Sequence, residues 1–149
     1  MLNIAALFVA GTATLDETGA IYATRVPTTG FQVAQIPLTA KVPVVLVVHA
    51  RCGGDYDAEL HVVCKDPTGT PRGSLQGSWH WPDEADKPSK YRCFTQDLVI
   101  SVEAEGEYTI GAYYDPHGKI EMATPIPISI SLVAASPVGD SGDGTNAEG

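Results

Sequence analysis

The chain has 149 residues, 44% hydrophobic and 18% charged, with 15 glycines and 11 prolines. That balance excludes a disordered polymer and a bundle of membrane-spanning helices, and it allows one domain with a substantial apolar core. The formal net charge is −9, so a nucleic-acid duplex or an anionic membrane would be repelled and neither is expected as a partner.

The first eleven residues are apolar, but no basic segment precedes them and the alternation continues past them. They therefore read as a strand, not a cleaved signal. Ile4, Ala6, Phe8 and Ala10 alternate with Ala5, Leu7 and Val9 in a first strand over residues 3–15. Asp16-Glu17-Thr18-Gly19 is a turn, with Gly where a type I turn favours it. A second strand is expected over 20–26. A third, over 31–36, is placed at a sheet edge because Pro37 cannot donate to a ladder.

Val42-Pro43-Val44-Val45-Leu46-Val47-Val48 is β-branched and of strand length. The Gly-containing loop 51–57 follows, then Glu59-Leu60-His61-Val62-Val63-Cys64-Lys65. The two arms read as a central antiparallel hairpin, with Leu60, Val62 and Cys64 facing the core and His61, Val63 and Lys65 facing away. Asp66-Pro67-Thr68-Gly69 and Asp115-Pro116-His117-Gly118 are turns of the same chemistry: Asp accepts from the backbone, Pro presets φ and Gly closes.

Between those turns, Leu75, Gly77, Trp79 and Trp81 share one face of a strand. Residues 82–92 mix Asp83, Glu84 and Asp86 with Lys87, Lys90 and Arg92 and read as the longest surface loop, mobile and without regular structure. Strands follow around Leu98, Ile100 and Val102, and around Tyr108, Ile110, Ala112 and Tyr114. The last strand, with Ile126, Ile128, Ile130 and Leu132 alternating, is placed at an edge by Pro125 and Pro127. Glu105-Gly106-Glu107-Tyr108 has the form of a tyrosine corner.

Eight or nine short strands without helical periodicity predict an all-β fold: a two-sheet antiparallel β-sandwich, immunoglobulin-like, over residues 1–134, with a disordered acidic Gly/Ser/Asp tail over 135–149. The turn at 16–19, the run His61-Val62-Val63-Cys64-Lys65-Asp66-Pro67-Thr68-Gly69, and Gly106-Glu107-Tyr108 ahead of the turn at 115–118 together resemble a family of small bacterial β-sandwich domains of unknown function, over about residues 7–132. The resemblance implies the fold and no catalytic residue.

Three cysteines, Cys52, Cys64 and Cys93, cannot all pair within one chain, which favours a reducing compartment and a cytoplasmic location. His49, Cys52 and His61 are the metal candidates, because His49 and His61 would face each other across the expected hairpin with Cys52 reaching back. Cys64 points to the other strand face, so the H-x2-C-x8-H-x2-C spacing does not make four ligands. Asp55, Asp57 and Glu59 supply fewer oxygens than calcium needs. No G-x-S-x-G signature or phosphate-cradling Gly loop is present, and Cys93 beside Arg92 has no placed base, so no catalytic residue and no cofactor is assigned.

Trp79 and Trp81, with Tyr91 in the neighbouring loop, are candidate interface residues, since Trp dominates binding hot spots. Filling the core is the competing role for the two Trp. The expected function is a non-enzymatic interaction or structural module with a protein partner or a second copy of itself. A metal- or small-ligand-binding domain using His49, Cys52 and His61 is the alternative.

Overall fold

The computed structural model describes residues 1–133, so the tail expected at 135–149 lies outside the described residues. It contains ten strands: β1 (Asn3–Val9), β2 (Thr12–Leu15), β3 (Ile21–Thr24), β4 (Gly30–Val33), β5 (Leu38–Arg51), β6 (Asp57–Lys65), β7 (Pro71–His80), β8 (Ser89–Val102), β9 (Gly106–Tyr113) and β10 (Ile126–Leu132). Among the described residues there is no helix long and apolar enough to cross a membrane.

The strands form a three-stranded sheet in the order β1-β5-β8, a five-stranded sheet in the order β4-β10-β9-β6-β7, and the separate hairpin β2-β3. Alternation decides which side chains meet. Val42, Val44, Leu46, Val48 and Ala50 of β5 join Leu60, Val62 and Cys64 of β6, Tyr108 and Ile110 of β9, and Ile128 and Ile130 of β10 in one buried cluster. The two larger sheets are thus layers over a shared core.

The expected pairing of the two central arms does not occur. β5 is hydrogen-bonded to β1 and, along its whole length, to β8, while β6 lies in the opposite sheet between β7 and β9. The loop 51–57 crosses between layers instead of reversing within one. Gly11 also separates β1 from β2 where one continuous strand was expected.

β4 is at an edge, as Pro37 suggested, but β10 is not: it pairs with β9 antiparallel and with β4 parallel. Its β4 register starts at Ser129, after Pro127, so the missing proline N–H falls where no β4 partner is present. The strand signal at 98–102 extends back to Ser89, so the irregular loop is only 81–88.

Three Asp-x-Thr/His-Gly turns close the corners. Gly19 N donates to Asp16 O at 3.0 Å, Gly69 N to Asp66 O at 2.9 Å and Gly118 N to Asp115 O at 3.3 Å. At the fourth corner Gly106 has φ +139°, and the buried Tyr108 hydroxyl donates to Ala104 O at 2.7 Å. The segment after β9 folds back over β6: Lys65 Nζ donates to Gly118 O at 2.6 Å. The outward side of β6 is therefore covered too, and Val63 and His61 are buried although their parity points away from the core.

Candidate functional site

The end of the molecule that carries Trp79, Trp81 and Tyr91 is held by a lysine. Continuing the β8 alternation backward from Val102, Ile100 and Leu98 puts residues 96, 94, 92 and 90 on the core side. Lys90 is fully buried. Its ammonium donates to Gly54 O at 2.7 Å, to Trp81 O at 2.7 Å and to Asp83 Oδ1 at 3.2 Å. It also lies 4.6 Å from the centre of the Tyr56 ring and 5.2 Å from that of Trp81, so ring faces and oxygens together replace its hydration.

Asp83 completes the clasp. It accepts from Gly53 N at 3.0 and 3.1 Å and from the Tyr56 hydroxyl at 3.0 Å. The Gly53 N–H, helped by Tyr56 and Lys90, holds its carboxyl below the usual range, and the same contact with Asp83 pushes the Tyr56 phenol up. Trp81 N donates to Tyr56 O at 2.7 Å and Cys52 N to Pro88 O at 2.9 Å, so loops 51–57 and 81–88 are bonded to each other. Neither Lys90 nor Asp83 stood out in the sequence as more than loop charge. The overlooked signal was strand parity carried back through charged residues.

Two recesses flank this clasp. One is a groove of about 670 Å³ between the tip of the β2-β3 hairpin and the surface of β8, lined by Leu15, Glu17, Trp81, Glu84, Tyr91 and Cys93 among others. Tyr91 is 60% exposed and its ring lies 5.4 Å from that of His49, on the outward face of the three-stranded sheet. Trp81 belongs to the core at 4% exposure. The other recess, of about 70 Å³, enters the core at the seam between β7 and β8 and is lined by Leu46, Leu60, Gly77, Trp79 and Phe94 among others. Trp79 packs against Phe94 at 4.9 Å and Trp81 at 5.4 Å.

The three interface candidates are therefore divided between two places. Trp81 and Tyr91 border the groove, Trp79 borders the seam, and both Trp also contact the core.

The metal candidates are not brought together. His49 has outward parity on β5, His61 has outward parity on β6 with its Nε2 donating to Glu59 Oε2 at 3.2 Å, and the core separates the two sheets. The physical reason is the pairing: without a β5-β6 hairpin the two imidazoles lie on opposite outer faces. Among the described residues no group of three or more His, Cys, Asp or Glu could hold a metal ion. Cys52, Cys64 and Cys93 are free. Burial, with the nearby Asp66 carboxylate, pushes the Cys64 thiol up to about 12, which makes it an inert part of the core.

No protein-family model and no curated protein sequence matches this chain.

Proposed function

We propose that this chain is a non-enzymatic binding module, an immunoglobulin-like β-sandwich that engages a protein partner through the groove between the β2-β3 hairpin and β8. Tyr91 carries the reading: a large aromatic side chain, 60% exposed, its ring tilted by 31° against that of His49, and mounted on a strand whose previous residue is the buried Lys90. An aromatic fixed before binding loses little entropy when a partner covers it. Glu17 and Glu84 stand in the groove walls beside Arg92, and the chain carries −9, so the fitting partner segment is cationic. The Tyr108 to Ala104 bond and the two layers support the immunoglobulin-like description. Three free cysteines support a reducing, cytoplasmic setting.

A photo-crosslinking amino acid placed at Tyr91 in the full chain tests the reading, with Val99 as control. Val99 is half-exposed on the same face of β8, eight residues along the strand. The expected result is one discrete adduct from position 91, weakened by added salt and by Glu84→Lys, and none from position 99. Equal adducts from both positions, or none from either, would overturn it. An adduct of two 15.7 kDa chains would identify the partner as a second copy.

A further inference from the structure

Positive charge gathers at the end of β6 away from loop 51–57. A recess of about 630 Å³ there is lined by Lys65, Gly69, Pro71, His117, Gly118 and Lys119, residues of the turns 66–69 and 115–118 and their immediate neighbours. Two lysines and an imidazole stand in that lining and no carboxylate does, in a chain with 18 acidic and 9 basic residues.

The carboxylates closest in sequence are committed to their own turns. Asp66 accepts from Thr68 N at 2.8 Å, Thr70 N at 3.0 Å and Arg72 Nε at 2.8 Å. Asp115 accepts from Lys119 N at 2.8 Å, Ile120 N at 2.8 Å and His117 N at 3.1 Å. Among the described residues neither Lys65 nor Lys119 forms a salt bridge. The acids satisfy backbone donors and Arg72, and the two lysine charges are left for something else.

Lys65 is already positioned. Its ammonium donates to Gly118 O at 2.6 Å and lies 4.8 Å from the centre of the Tyr113 ring. Gly118 permits that approach: its φ is +70°, and a Cβ on it would lie 2.9 Å from Lys65 Cε. Of three ammonium N–H donors the carbonyl takes one and the ring face at most one more, so at least one remains for a ligand. A lysine held in this way loses less side-chain entropy on binding than a free one. Lys119 and His117 are exposed beside it and add a second charge and a ring nitrogen.

A carboxylate would balance only one of the two lysines. A phosphate monoester carries about −1.5 to −2 near neutral pH and offers three acceptor oxygens, which matches both. Lysine, a point charge on a flexible stem, serves such a group well. Gly69, Pro71, His117 and Lys119 are exposed, so the recess opens to solvent and the organic part of an ester can project from it. A polymer of phosphates fits poorly, because those outside the recess would meet a chain of net charge −9.

From this geometry we infer that the recess between turns 66–69 and 115–118 binds the phosphate monoester of a small soluble molecule, with Lys65 and Lys119 holding the phosphate oxygens and His117 beside them. The site lies at the other end of β6 from the loop next to the Tyr91 groove and stands whether or not a protein binds there.

The test titrates glycerol 3-phosphate at constant ionic strength into 15N-labelled full-length chain, followed through the backbone amides of Gly69, Gly118 and Lys119. Saturable shifts are expected, with inorganic phosphate competing and acetate not. Lys119→Gln should weaken binding about five-fold, the weight of one exposed ion pair, and Lys119→Arg should restore it. Lys65→Met should weaken it at least as much; Lys119 is exposed, so its variants keep the test informative if the methionine variant does not fold. A linear shift, an equal response to acetate, or an affinity unchanged by Lys119→Gln would overturn the assignment. Phosphatidylcholine vesicles doped with phosphatidic acid separate the sources of the phosphate. No cosedimentation supports the soluble ester, and cosedimentation abolished by Lys119→Gln would overturn it in favour of a lipid headgroup.

Discussion

Lys90 looks like surface charge and behaves as a core residue. Its three oxygen partners belong to segments that no strand pairing joins, so it links β8 to both neighbouring loops. Lys90→Met keeps most of the volume but strands two carbonyls and the Asp83 carboxylate. The expected cost is about 2–4 kcal/mol, seen as a lower urea midpoint at unchanged slope. Asp66 is the matching anion on the opposite side. Burial alone would raise its carboxyl, but the Thr68 hydroxyl, Arg72 Nε and the Thr70 and Thr68 N–H groups outweigh burial and hold it well below the usual range. The folded chain therefore favours the carboxylate. Its contribution is fully present above the unfolded value of about 3.9 and is lost as the pH falls below it. Urea midpoints measured from pH 7 down to pH 2 should fall through the acid range, and Asp66→Asn should both lower the plateau and flatten that fall.

At the level of strands, β7 and β8 are edges of different sheets that meet without a shared ladder. They are drawn together at Gly73, where a Cβ would collide with Val99 O and lie 2.9 Å from Ile100 Cγ2. Gly73→Ala must push backbone from backbone, and a destabilisation of about 1–3 kcal/mol is expected by denaturant unfolding. Gly77→Ala, four residues along the same strand, has space and should be neutral or stabilising; similar costs at both positions would contradict this account of the seam. Faces were legible in the sequence here and partners were not. Period-two alternation put Leu60, Val62 and Cys64 inward correctly, and the Asp-x-x-Gly spacing located three turns. It could not say that Val44 lies beside Val9 and Gln96, because those pairings join segments far apart in sequence. That error carried directly into the site, since the supposed convergence of His49 and His61 depended on the wrong hairpin. Lys90 is illegible for a different reason: in a sequence a charge signals solvent, although a buried lysine with every donor occupied obeys the same rules.

Across the whole molecule, both larger sheets bury one common cluster, so neither has a core of its own. Unfolding is expected to be all-or-none: Trp fluorescence, which reports the β7-β8 end, and far-UV circular dichroism, which reports all strands, should give superimposable denaturant curves. Separated midpoints would show that one layer survives without the other.

The parallel register of β4 with β10 has a consequence for how such a chain is made. β4 is synthesised roughly a hundred residues before β10, its one sheet neighbour among the described residues, and until β10 leaves the ribosome the backbone edges of β4 and β9 that it will join both stand open. Vectorial synthesis thus leaves two adhesive edges facing each other until β10 slides between them and joins the two parts of the sheet.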